Sequence, residues 1–219
     1  MALTVLTWNL FHGRAVPPAG RSLLDEFAEA LAGWQWDVAL LQEVPPWWAP
    51  RLARHASAEA ATALTSRNAL LPVRRRLAER WPDLMASNGG GANVMLSRSG
   101  AAERRSQRLR WWPERRVVQA VRLPTGTWVA NLHGSAHHEL RARSDLARAA
   151  RAVLAWAAEA PVILGGDLNL RAPELAGFAH LGGHSVDHVL ARGVGAAGAT
   201  EQLARGSLSD HAPLHIRIA

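Results

Sequence analysis

The apolar positions fall into short runs of two periods. Leu3 to Asn9 is strand-like and ends in a polar side chain. A turn at Pro17, Pro18 and Gly20 then leads into Leu23, Leu24, Phe27, Leu31 and Trp34, which share one helix face, with Ser22 as the N-cap. Val38 to Leu41 reads as a second strand, with Gln42 and Glu43 just beyond it. The chain therefore begins strand, helix, strand, with a polar residue at each strand's carboxyl end, the edge where ligands commonly bind in α/β sheets.

From Trp47 to Leu84 the pattern predicts mostly helix, divided by Pro72 and Pro82, with Leu70, Leu71, Leu77, Trp81 and Leu84 as apolar anchors. Arg74, Arg75, Arg76 and Arg80 would cover its solvated face. A glycine turn in NGGGANVMLSR precedes a strand from Asn93 to Leu96. Arg116 to Leu123 and Thr127 to Leu132 flank PTG as a strand pair, and Glu139 to Ala158 is a helix whose start carries His137 and His138 on its surface. Pro173 to Ala179 is a short helix or an irregular loop. Ser185 to Leu190 is a strand with Asp187 inside it, and Leu214 to Ile218 is an edge-like strand. This order supports a sandwich containing βαβ units.

Composition narrows the chemistry. The 219 residues suit one domain, 1–219, with room for two pseudo-symmetric halves. Without Cys, there is no disulfide, thiolate metal site or cysteine nucleophile. All 25 basic residues are Arg, against 18 acidic ones, a formal net charge of +7. That excess suits an anionic partner such as DNA or RNA, although replacement of every Lys by Arg also fits a compositional bias of the source. No stretch approaches the roughly 20 apolar residues of a membrane span. The amino terminus has no basic, secretory-type start. A cytoplasmic monomer without a membrane anchor is expected.

The most informative segment is PVILGGDLNLR, where an apolar run ends in two glycines and then Asp167 and Asn169. Two polar residues spaced by two share a side of an extended chain and can meet one bound group; an Asx-capped turn is the plainer explanation. Arg98 to Arg116 holds seven Arg around Trp111 and Trp112, among them Arg108 and Arg110. Such a segment either binds phosphates and stacks on bases or is a solubilised hairpin. Asn9, Glu43, His133, Asp167, Asn169, Asp187, Asp210 and His211 recur at or near strand ends. Their oxygen donors suit Mg²⁺, with Mn²⁺ as a substitute, and a carboxylate and an acid-held histidine can serve phosphoryl transfer.

In TWNLFHG, LLQE, NVMLSR, NLH, GGDLN, SVDHVL and SDH, taken in that order, the chain resembles the endonuclease/exonuclease/phosphatase superfamily. The resemblance implies an α/β four-layer sandwich of two packed mixed β-sheets flanked by helices. It also implies a metal site at Glu43 with Asn9 and Asp210, Asp167 as water-orienting base, and Asn169 holding water or a phosphate oxygen. Asp187 would orient His211, and His133 would bind phosphate or assist as an acid. The absence of Tyr excludes the tyrosine assistance of some relatives, and Phe11 replaces an Asp that some use for a second metal. The expected activity is that of a metal-dependent nuclease, with Asn93, Arg108, Arg110 and Trp111 contacting substrate. A phosphoinositide or small-metabolite phosphatase, a lipid phosphodiesterase and a non-catalytic nucleic-acid-binding module remain alternatives.

Overall fold

The computed structural model describes residues 2–85 and 90–219; Asn88 and Gly89 of the expected glycine turn lie outside the described residues. The first half contains β1 (Leu3–Asn9), α1 (Leu24–Gly33), β2 (Val38–Val44), α2 (Ala49–His55), β3 (Glu59–Leu64), α3 (Leu71–Arg80), α4 (Pro82–Met85) and β4 (Ala92–Ser97). The second contains β5 (Glu103–Arg110), β6 (Arg116–Arg122), β7 (Trp128–Leu132), α5 (Glu139–Ala157), β8 (Val162–Asp167), β9 (Ala179–His184) and β10 (Asp187–Arg192). The chain then returns to the first sheet through β11 (Glu201–Gln202) and β12 (Leu214–Ile218).

Two six-stranded sheets result, in the orders β11-β12-β1-β2-β4-β3 and β5-β6-β7-β8-β10-β9. Each is mixed and contains one parallel pair, β1 with β2 and β7 with β8, joined by α1 and α5. This repetition is the pseudo-symmetry that the length left room for. Val5, Leu40 and Met95 pack against Val129, Ile163 and Val189 between the sheets. Trp8, Phe27 and Leu52 fill the space under α1 and α2, while Leu132, Leu146 and Val153 fill that under α5. The expected four-layer sandwich is present.

A polar clamp crosses the inter-sheet core beneath the strand ends. Gln42 Nε2 donates to Asn131 Oδ1 at 2.8 Å, and Asn131 Nδ2 donates to the carbonyls of Leu41 and Val94 at 2.9 and 3.2 Å. Both side chains are fully buried. The bond from Gln42 to Asn131 ties the two sheets together at this point, and breaking it would leave further buried amide groups unpaired beside Gln42 Oε1, which has no partner, at about 1–3 kcal/mol each.

Several local expectations change. Ser22 does not cap α1, whose N-cap is Leu23 with no side-chain bond. The stretch from Trp47 to Leu84 includes β3, which completes the first sheet; Ala-rich EAATAL has no alternation strong enough to separate strand from helix. The supposed anchors Leu70, Leu77, Trp81 and Leu84 are exposed. The arginine-rich segment is half strand: β5 forms the edge of the second sheet beside β6. Asp187 opens β10 instead of lying within a strand, and Pro173 to Phe178 is irregular before β9.

Candidate active site

The carboxyl ends of the two parallel pairs lie at one edge of the sandwich and carry Asn9, Glu43, His133 and Asp167 in turn. Local backbone geometry aims them. Glu43 has φ of 51°, and the β2–β4 register slips between Leu41 and Val44, a bulge that re-aims a side chain. Gly166 has φ of 133°, and a Cβ there would lie 2.0 Å from Leu132 O. At Gly134, beside His133, a Cβ would lie 2.4 Å from Leu168 O. These glycines let β7 and β8 press together where their polar ends emerge.

Asp167 is the hub. Its Oδ2 accepts from Asn9 Nδ2 at 2.9 Å, and its Oδ1 accepts from the backbone N–H of Asn169 at 3.1 Å. The Asx turn is therefore real and coexists with the site. Asn169, at φ of 52°, donates through Nδ2 to Gly134 O at 3.1 Å. Asp187 faces Asp167 across the antiparallel β8–β10 ladder. Its Oδ2 lies 2.7 Å from His211 Nδ1, while its Oδ1 is buried without a hydrogen-bond partner. Ser209 sets the terminal SDH turn: its Oγ donates to Asn9 O at 2.6 Å and accepts from the backbone N–H of His211 at 3.0 Å.

Electrostatics divides the two histidines. Burial lowers the affinity of His133 for a proton and the Arg116 charge lowers it further, bringing its pKa down to about 3 despite Glu43 nearby. Burial opposes charge on His211 too, but the Asp187 hydrogen bond and the charges of Asp187, Asp167 and Asp210 raise its pKa to about 9. Burial raises the proton affinity of Asp167 and Asp187. Glu43 is also buried, yet the His12 hydrogen bond and charge, with contributions from His133 and Asn9, keep its carboxyl well below the usual range. Near neutral pH the site thus presents a neutral His133 beside a charged His211.

Of the expected residues, Asn9, Glu43, His133, Asp167, Asn169, Asp187 and His211 converge. His133 Nε2 lies 3.5 Å from Asp167 Oδ2 and 3.8 Å from Glu43 Oε1, and His211 Nε2 lies 3.9 Å from Asp167 Oδ2. Asp210 sits at the rim, its side chain 45% exposed and 3.9 Å from His211 Nε2. Asn93 is fully buried and donates to Val117 O at 3.0 Å, while its Oδ1 has no hydrogen-bond partner. Arg110 is turned to the buried carboxylate of Asp145 at 3.1 Å, and Arg108 stacks on Trp111 with its guanidinium 3.5 Å from the ring centroid. Arg98, Arg104, Arg105 and Arg116 are likewise engaged within the protein.

Sequence reasoning missed His12, whose Nε2 lies 3.0 Å from Glu43 Oε2. It also missed Arg14, Arg67 and Arg141, which together with Arg116 of the arginine-rich segment line a cleft of about 540 Å³ beside Glu43 and His133. His12 directly follows the first strand motif, but only the positive-φ turn at Phe11 and His12 brings its ring back to Glu43.

The endonuclease/exonuclease/phosphatase family model matches residues 6–211, nearly the whole span that carries these strand ends. The chain belongs to this family. Its fold matches a Bacteroides thetaiotaomicron mannosyl-6-phosphatase at 13% identity, with 99% of each chain covered and a TM-score of 0.73. It also matches truncated TDP2 from Caenorhabditis elegans at 16% identity, covering 100% of this chain and 98% of that one, with a TM-score of 0.69. An endonuclease/exonuclease/phosphatase from Beutenbergia cavernae matches at 19% identity over 99% of this chain and 71% of the other, with a TM-score of 0.72. No curated protein sequence gives a significant match.

Proposed function

We propose that the protein is a divalent-metal-dependent phosphoester hydrolase. The observation that carries this reading is the convergence of Glu43, Asp167 and the Asp187–His211 pair at one cleft edge. The donors suit a hard cation: Glu43 is held ionised, and Asp187 Oδ1 is a buried oxygen without a partner. Glu43 would hold Mg²⁺, or Mn²⁺ in its place, with Asn9 and Asp210 in support. When bound, such an ion offsets charge developing on the phosphate.

The protein's own groups supply the rest. Asp167, anchored by Asn9 and the Asn169 backbone and made more basic by burial, takes a proton from the attacking water. The water oxygen bonds to phosphorus as the ester P–O bond breaks, and the departing oxygen carries away the bonding pair as an alkoxide and takes its proton from solvent. Asn169 orients the water or a phosphate oxygen. Protonated His211 donates through Nε2 to a phosphate oxygen while Asp187 holds its Nδ1, and neutral His133 donates to another oxygen.

Among substrates, the cleft favours a compact phosphorylated group over a duplex. Arg67 and Glu114, paired at 2.7 Å, are part of its wall. A nuclease acting on DNA or RNA loses part of the arginine track that suggested it, because Arg110 and Arg116 are turned to Asp145 and Glu114; exposed Arg108, Trp111 and Trp112 remain as its support. The test is hydrolysis of nucleic-acid, sugar-phosphate, inositol-phosphate and phospholipid panels with Mg²⁺ or Mn²⁺, beside EDTA and Glu43→Ala controls. Metal-dependent turnover of any panel that is absent from Glu43→Ala supports the hydrolase. Its absence from every panel overturns it.

A further inference from the structure

The exposed apolar side chains are concentrated at the cleft edge. Among the described residues the large ones are Val16, Leu70, Val73, Leu77, Trp81, Leu84, Trp111, Trp112 and Leu140. Every one lies on a segment that leaves or rejoins the sheets at the edge bearing Glu43 and Asp167. Val16 follows β1, Leu70 to Leu84 connect β3 to β4, Trp111 and Trp112 connect β5 to β6, and Leu140 follows β7. The opposite edge carries none among the described residues.

The longest of these connections is organised. Val73 and Leu77 lie on α3 and Leu84 on α4, with Leu70 at the left-handed cap that opens α3 and Trp81 at the non-helical break between the two helices. Neither helix buries a residue. Arg75, Arg76 and Arg80 are exposed on the same connection, with Arg75 paired to Glu79 at 2.8 Å and Arg80 lying over the Trp81 ring at 5.9 Å. Apolar side chains on helices normally face a core, whereas these five are exposed. A helical segment that exposes Trp and Leu among arginines has the composition of one that lies in a bilayer interface.

The rim is also tied together. Arg67 meets Glu114 at 2.7 Å, Ser66 Oγ accepts from the Arg115 backbone N–H at 2.7 Å, and Asp83 Oδ2 accepts from the Gly20 backbone N–H at 2.6 Å. These bonds join the connections that carry Val16, the five exposed side chains from Leu70 to Leu84, and the two tryptophans. We propose that this rim docks on an anionic phospholipid surface, turning the cleft toward the headgroups. Single-stranded nucleic acid would use the tryptophans and arginines, but it gives no role to six aliphatic side chains. An anionic bilayer uses all three kinds, with tryptophan at the headgroup level, aliphatics below it and arginines on the phosphates.

This proposal does not require hydrolysis, so it is tested by binding. The full chain is sedimented with vesicles of phosphatidylcholine alone and with vesicles that also contain phosphatidylglycerol. The same is done for Glu43→Ala and for the triple variant Leu70→Asp, Trp81→Ser, Leu84→Asp. The parent and Glu43→Ala should bind the anionic vesicles at least about tenfold better than the neutral ones, with the difference shrinking in high salt. The triple variant should lose at least about tenfold of that binding while its circular dichroism stays unchanged, because the three side chains are exposed. Equal sedimentation of parent and triple variant, or none with any vesicle, overturns the proposal. So does transfer of the same mutational sensitivity to single-stranded DNA binding, or to concentration-dependent self-association on a sizing column.

Discussion

His211 Nδ1 lies 2.7 Å from Asp187 Oδ2, and that aspartate faces Asp167 directly across the β8–β10 ladder. The pair therefore acts as one unit. His211→Ala and Asp187→Asn should each reduce turnover, by on the order of 10²-fold or more, and the double variant should lose far less than the product. The rates are compared at substrate saturation in variants whose circular dichroism matches the parent. Losses that multiply would show that Asp187 does not act through His211.

The same relationship sets the pH response. The folded pKa of His211, about 9, lies above its ordinary value of 6.5. Its contribution to stability is thus fully present below pH 6.5 and is lost as pH rises through 9. Turnover should fall over the same alkaline limb as His211 loses its proton, and Asp187→Asn should move that limb to lower pH. A pH–rate profile of parent and variant checks this; an alkaline limb that does not move would remove Asp187 as the cause.

Removal of divalent metal should abolish turnover, and Mg²⁺ or Mn²⁺ should restore it. Glu43→Gln should lower metal affinity by at least about tenfold, measured by calorimetry on the metal alone, while His12→Ala should alter it less. Equal affinities in Glu43→Gln and parent would place the ion elsewhere.

Arg110 should behave as a structural residue. Asp145 is fully buried and also accepts from the backbone and hydroxyl of Ser135, two residues beyond His133. Arg110→Ala leaves that carboxylate short of its cation and should cost about 3 kcal/mol in urea unfolding. Arg108→Ala should cost less than about 1 kcal/mol, since Arg108 is exposed over Trp111. Comparable stabilities for the two would contradict these assignments.

Gly166→Ala should be severely destabilising, by about 3 kcal/mol or more, because φ is 133° and the new Cβ would lie 2.0 Å from Leu132 O. Gly126→Ala has the strain of φ at 92° without a close neighbour and should cost less. Thermal unfolding of both variants provides the comparison.

The strand-end residues were legible because each follows a short apolar run, and the ordered motifs joined them to one family. What the sequence concealed depended on distant partners. Arg110 gives no sign that it meets Asp145, 35 residues later, nor His12 that a turn returns it to Glu43. Periodicity read Leu70 to Leu84 as core anchors because spacing reveals a helical face and not what covers it. β3 was missed because alanines suit either backbone, and its pairing with β4 decided the outcome.

The amide clamp between Gln42 and Asn131 lies next to two residues of the site, Glu43 and, two positions on, His133. Robustness and turnover are therefore coupled at this one place. A search for heat-tolerant variants should find gains on the outer helices and loops, whereas replacements of this pair should appear among inactive clones although neither side chain belongs to the cleft. An alanine scan scored only for activity would mistake them for members of the reacting centre.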